Sequence, residues 1–467
     1  MIGRITAMIR FARCRKFLFQ CIAIGVILAM VASACLFKLA SIQLIDGQMA
    51  AQAATQARTK KVIVHSMRGK ITDTNGTVLA QSVERYTIIA DPWAASQFEP
   101  IDCDTQKAKQ AGFCHKVNGK PVGVKGSAGV ARLLAPVLKM DAKTLGAKLT
   151  GTSRYMILKK DVTPTVKRAI DDLNLGGVVY GELSSQRIYA NGTQLGALLG
   201  GVDDSGKGVA GVESMENSAL TGTDGYVIYQ QGNGGEEIPG TLTGSQEAVN
   251  GSDVALTLDH DVDWYVKQAL LEGQKKTKVT WAMAVVQDIQ TGEILALEDT
   301  DEYQAGSDQA KLNASRAVSE SFEPGSVGKV ITMSGLLQTG LHKATDKFTV
   351  PYSYTKDGQE YHDSSAHGDE HWTLAGIIKN SSNVGVVMAS SQYTKFGIGQ
   401  SSGMSIPGES RGQLGTPESW DGRTSNTILF GQGYSVNALQ LTNVVATIGN
   451  KGVRKQQSLI KSVTHAD

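Results

Sequence analysis

Phe17 to Phe37 is a run of 21 residues in which only Gln20 and Ser33 are polar. About 20 apolar residues match the hydrocarbon thickness of a bilayer, so residues 17–40 are predicted to form a transmembrane helix. The flank before it carries Arg4, Arg10, Arg13, Arg15 and Lys16 without an acidic residue. Basic flanks stay on the cytoplasmic side, which makes residues 1–16 a cytoplasmic tail and places the rest of the chain outside the membrane. Ala32-Ser-Ala-Cys35 resembles a lipoprotein cleavage site. A signal peptide's apolar core usually spans only about 7–15 residues, so an uncleaved anchor is expected instead.

Beyond the anchor the pattern shortens. Lys61-Val-Ile-Val-His65 and Tyr86-Thr-Ile-Ile-Ala90 read as strands, and Asp73-Thr-Asn-Gly76 as a tight turn. Helical patches fall near Gly129–Leu134 and Pro164–Leu173. Residues 41–249 therefore read as an extended α+β scaffold without an acid–base or metal constellation. Near Gly251 the texture changes to Asp253-Val-Ala-Leu-Thr-Leu258, a helix over Val262–Glu272, and two aliphatic segments, Met283–Gln287 and Glu293–Leu297. Asp288-Ile-Gln-Thr-Gly292 separates those segments as a hairpin turn. A helical and loop-rich stretch follows through Leu441–Ile448, so residues 250–467 are predicted to form a second, α/β domain.

A chain of 467 residues with 41% hydrophobic content has material for at least two cores. Its net charge of +2, with both signs dispersed, offers no basic stripe for nucleic acid. Of five cysteines only Cys103 and Cys114 lie beyond the anchor region. Outside the cytoplasm such a pair can form a disulfide, although two free thiols are also compatible with the sequence.

Candidate chemistry lies in Phe322-Glu-Pro-Gly-Ser-Val-Gly-Lys-Val-Ile331 and Lys379-Asn-Ser-Ser-Asn-Val-Gly385. Ser-x-x-Lys occurs at Ser326/Lys329, Ser353/Lys356 and Ser458/Lys461, so context must choose among them. Ser353 lies in a stretch that reads as a polar loop and Ser458 in a basic stretch. Ser326 opens an apolar helix in which Lys329 is a lone charge, and positions i and i+3 share a face. A buried lysine loses its proton more readily and can take the serine's proton as its oxygen attacks a carbonyl. The helix start adds a dipole for the oxyanion. Ser381 can relay a proton and Asn383 can bind a peptide carbonyl. Ser435-Val-Asn437 repeats the Ser-x-Asn pattern, and either copy could be a plain helix cap. Ser381–Asn383 is preferred because it opens a second small, apolar helix.

With these residues the chain resembles a class B penicillin-binding protein of the division-associated peptidoglycan transpeptidase type, a family for which Ser-x-x-Lys is a known signature. The likeness extends through Arg68-Gly-Lys-Ile-Thr-Asp-Thr-Asn-Gly76, Arg187-Ile-Tyr-Ala190, Gly208–Glu213, Asp288–Ala296 and Phe430–Leu441. It implies a membrane anchor, an extended pedestal domain and a penicillin-binding transpeptidase domain. It also implies a serine acyl-enzyme at Ser326, with Lys329, Ser381 and Asn383 assisting and no cofactor. Implied partners are peptidoglycan stem peptides, β-lactams, a membrane glycosyltransferase and other division proteins. The family's third motif, Lys-Thr/Ser-Gly, does not occur after Asn383. The expectation is therefore a C-terminally truncated domain lacking its last strands, with a catalytically silent division scaffold as the alternative. His362, His367 and His371, near Asp363, Asp369 and Glu370, fit no common zinc spacing and read as a loop.

Overall fold

The computed structural model describes residues 2–42, 47–190, 192–232, 237–389 and 398–465. Chain contacts divide it into two units, residues 1–63, 175–178 and 226–246, and the remainder. In the first, α1 (Ile2–Ala40) contains an apolar stretch, Phe19–Ala40, that is wholly unburied and long enough to cross a bilayer. Helix α2 (Gly47–Arg58) and strand β1 (Thr59–Val64) follow in sequence. β1 joins Gly225–Gln230 and Gly244–Gln246 in a three-stranded sheet, where the Lys61 ammonium lies 4.0 Å from the Tyr226 ring centroid.

The second unit begins with a short strand and a side-chain-braced turn. After β2 (Ile71–Thr72), Asp73 Oδ1 accepts from the amides of Asn75 (2.9 Å) and Thr77 (2.7 Å), and Gly76 takes φ +86°. The chain re-enters as β3 (Val78–Ala90), whose last three residues are fully or nearly buried. Cys103 and Cys114 are disulfide-bonded. Helix α3 (Gly126–Leu138) buries Val130, Leu133, Leu134 and Leu138. Strand β4 (Met156–Val162) and helix α4 (Pro164–Asp171) follow, the latter with Thr163 as N-cap and proline in its first turn. Strand β5 (Val179–Tyr189) runs antiparallel to β3 from Ala80↔Tyr189 to Ala90↔Val179.

Helix α5 (Gly211–Met215) brings in Glu213, whose side chain is wholly buried. Its two carboxylate oxygens each meet a guanidinium at 2.7 Å, from Arg68 and Arg187. Two arginines around one acid tie the segment before β2 to the end of β5. Removing the acid would leave two buried charges unpaired. Strand β6 (Asp253–Leu256) then pairs parallel with β2, so one six-stranded sheet draws on both sides of the boundary expected near residue 250.

Helix α6 (His260–Thr277), capped by Asp259, precedes the hairpin β7 (Met283–Gln287) and β8 (Ile294–Asp299), which has the expected antiparallel register. Asp263, Lys267 and Glu298 are buried between them, with Lys267 Nζ 3.1 Å from Glu298 Oε2. Burial, reinforced by the Glu298 charge, pushes the Asp263 carboxyl well above the usual carboxylate range. Helix α7 (Lys329–Gln338) follows a 3₁₀ turn at Gly325–Gly328. Ser326 therefore sits on that turn, three residues before α7 begins, rather than opening the helix itself.

The stretch after α7 holds more strand than its polar composition predicts. β9 (Lys347–Val350) pairs with β12 (Glu370–Thr373), and β10 (Ser353–Lys356) pairs with β11 (Gln359–His362). Ser353 thus lies on a strand rather than in a loop. Helices α8 (Leu374–Lys379), α9 (Asn383–Ala389) and α10 (Ala438–Gly449) follow, the last closed by an Asn437/Gln440 capping box. Strand β13 (Ile460–Thr464) ends the sheet beside β6. Met333, Leu336, Leu374, Ile377, Val384 and Val386 form the apolar cluster under the site residues.

Candidate active site

The Ser326 turn is shaped by close backbone packing. Gly325 has φ +56° and its amide donates to Gly431 O at 2.8 Å. Gly431 has φ +90°, and a Cβ there would lie 1.6 Å from Gly325 O. Gly328 lies so close that a Cβ would come within 2.7 Å of Gly431 Cα. Only glycines allow the two segments this approach. The result is a 3₁₀ turn with Ser326 exposed and Lys329 1% exposed at the first residue of α7.

Lys329 Nζ lies 3.2 Å from Ser326 Oγ, 2.5 Å from Ser381 O and 3.1 Å from Ser381 Oγ. Those three oxygens match the amine's hydrogen-bonding capacity. Ser381 reaches it because its backbone is left-handed, at φ 51°, so that carbonyl and hydroxyl both turn toward the lysine. Burial pushes Lys329 down to about 8, and the negative charge of Asp363 opposes that shift. At neutral pH a fraction on the order of a tenth of the amine is then unprotonated and able to accept a proton.

The three residues of Ser381-Ser-Asn383 go in different directions. Ser381 serves the lysine. Ser382 is buried, and its hydroxyl accepts from Gly385 N at 2.8 Å, bracing the start of α9. Asn383 is half-buried and its Nδ2 donates to His362 O at 3.2 Å. The structure thus brings Ser326, Lys329 and Ser381 into one hydrogen-bonded set with Asn383 next in line. In the other Ser-x-x-Lys pairs, Lys356 Nζ donates to Val387 O and Lys461 Nζ to Thr74. Asn437, of the second Ser-x-Asn, is spent as the cap of α10.

Asp363 is the residue whose part the sequence does not announce. It sits among histidines that invite a metal reading, yet among the described residues no group of His, Cys, Asp and Glu could hold a metal ion. Instead, its Oδ1 accepts from Val384 N at 2.9 Å, its Oδ2 lies 3.0 Å from His367 Nε2, and His371 meets Thr349. The sequence signal it carries, an acid four residues before a histidine, reports the His367 contact and not the contact with α9.

Residues 63–256 match the penicillin-binding protein dimerisation domain and residues 282–466 the penicillin binding protein transpeptidase domain. Penicillin-binding protein PbpB of Mycobacterium tuberculosis is 32% identical over 436 residues, covering 89% of this chain; the chain spans 62% of that relative's length. A solved peptidoglycan synthetase from Bifidobacterium adolescentis is 60% identical, with a TM-score of 0.67 over 88% of this chain and 76% of the other. Penicillin binding protein 3 of M. tuberculosis in complex with aztreonam is 25% identical, with a TM-score of 0.59 over 87% of this chain and 70% of the other. Two domain matches in order, the 60% identity and a lysine seated between the serines of both motifs lead to one assignment: the chain belongs to the class B penicillin-binding proteins.

Proposed function

We propose that this chain is a peptidoglycan D,D-transpeptidase of cell division that works through a Ser326 acyl-enzyme. The observation that carries the reading is the Lys329 amine, 1% exposed and within hydrogen-bond distance of both Ser326 Oγ and Ser381 Oγ. Neutral Lys329 takes the hydroxyl proton as Ser326 Oγ bonds to the carbonyl carbon of the penultimate D-alanine of a stem peptide. The tetrahedral intermediate collapses with cleavage of the peptide bond. The proton passes from Lys329 through Ser381 to the departing amine, which leaves as D-alanine. An amine of a neighbouring stem then attacks the ester, and the same relay returns its proton to Ser326. Asn383 holds a peptide carbonyl of the donor. A β-lactam follows the first half of this path, with its ring amide as the bond broken.

In this reading residues 1–16 are cytoplasmic, 17–40 cross the membrane, 41–249 form the pedestal and 250–467 the transpeptidase domain outside. A membrane glycosyltransferase and other division proteins are its partners. The experiment is D-alanine release from a stem pentapeptide ending in D-Ala-D-Ala by the full chain in detergent, with and without an acceptor amine. Release that the acceptor accelerates and that Ser326→Ala abolishes is expected. No release from a folded chain overturns the enzymatic reading and favours the alternative of a catalytically silent division scaffold.

A further inference from the structure

Asp363 directly follows β11, and its side chain is 7% exposed. Its amide donates to Tyr352 O at 3.1 Å, fixing the backbone, while its Oδ1 takes the Val384 amide of the first turn of α9. First-turn amides have no partner within their helix, so this carboxylate supplies one that the helix lacks. The preceding residue, His362, offers its carbonyl to Asn383 Nδ2. Two consecutive residues thus grip the start of α9, just after the Ser381 whose carbonyl and hydroxyl hold Lys329.

We propose that Asp363 is a positioning residue for acyl transfer, holding Ser381 and Asn383 at the start of α9 and supplying the negative charge against which the Lys329 amine works. The proposal rests on the acyl-enzyme reading of Ser326. Several titratable groups surround the carboxylate. His367 Nε2 meets Oδ2 from the following loop, and His362 Nδ1 lies 3.0 Å from Asp363 O at the end of β11. Tyr352 stacks on His362 and meets His367 edge-on. From β12, Trp372 leans on His367 and the charge of Glu370 acts on it. Hydrogen bonding to Gly368 O and to Asp363 raises His367, favouring its charged form beside the carboxylate.

The test is the rate of acylation by a fluorescent penicillin against pH, with the full chain in detergent. Asp363→Asn keeps an oxygen for Val384 but no charge, and its acid limb is expected to move to lower pH. Asp363→Ala loses the grip as well, and its plateau rate should fall roughly 2- to 30-fold, the range of a lost helix cap. Limbs that coincide with wild type in the variants that fold overturn the proposal. A wild-type chain that does not react with penicillin sinks the acyl-enzyme reading alone. In that case titration of the Lys329 ¹³Cε resonance decides whether Asp363 acts on the amine: a lower midpoint in Asp363→Asn shows that it does, and an unchanged midpoint overturns that contact as well.

Discussion

Lys329 shows how a functional group is held against its own solvation. In the folded chain it is lowered to about 8, below an ordinary lysine, so the folded state binds fewer protons than the unfolded one on the alkaline side. Stability therefore carries a constant penalty below about pH 8 and recovers as pH rises toward the unfolded value. Lys329→Met removes the penalty but also leaves Ser381 O without its donor. We expect a net gain of about 1–2 kcal/mol at neutral pH, measured by urea unfolding, together with loss of acyl transfer. An unchanged or lowered unfolding midpoint would mean the amine is better solvated than its burial indicates. The Ser326–Lys329 pair was legible because three residues of separation on one turn is a local relation. Asp363 was not legible as a partner, because its role depends on β11 lying beside the start of α9 and no short-range pattern records that.

Among the elements, the hairpin β7–β8 and helix α10 followed their apolar patterns closely, since each buries a continuous face. β10 and β11 escaped because a small antiparallel pair of polar residues alternates too little to be seen. The 3₁₀ turn that carries Ser326 depends on a distant element, the segment around Gly431. Gly431→Ala would place a Cβ 1.6 Å from Gly325 O at a left-handed φ, forcing the two segments apart. The expected loss is about 3 kcal/mol or more by denaturant unfolding, with a slower penicillin reaction in the molecules that remain folded. A variant as stable and reactive as wild type would show that the turn does not need this approach.

On the scale of the whole molecule, the anchor was the plainest prediction, because some twenty apolar residues have few other uses. Pairing across residue 250 was not legible, because β6 completes a sheet begun by β2 and β3 far earlier in the chain. Glu213 ties that region together through Arg68 and Arg187, all three side chains buried. Glu213→Gln leaves two buried guanidinium groups without an anion and is expected to cost about 3–5 kcal/mol, lowering the thermal midpoint by roughly 10 °C. A shift of a degree or two would make the triad ornamental. The central claim, that Ser326 is the acylated nucleophile, is tested most directly by peptide mapping of the full chain after reaction with benzylpenicillin. The expected result is a single penicilloyl adduct on the peptide containing Ser326, absent in Lys329→Met. An adduct on another residue, or none on a chain shown to be folded, would contradict the account.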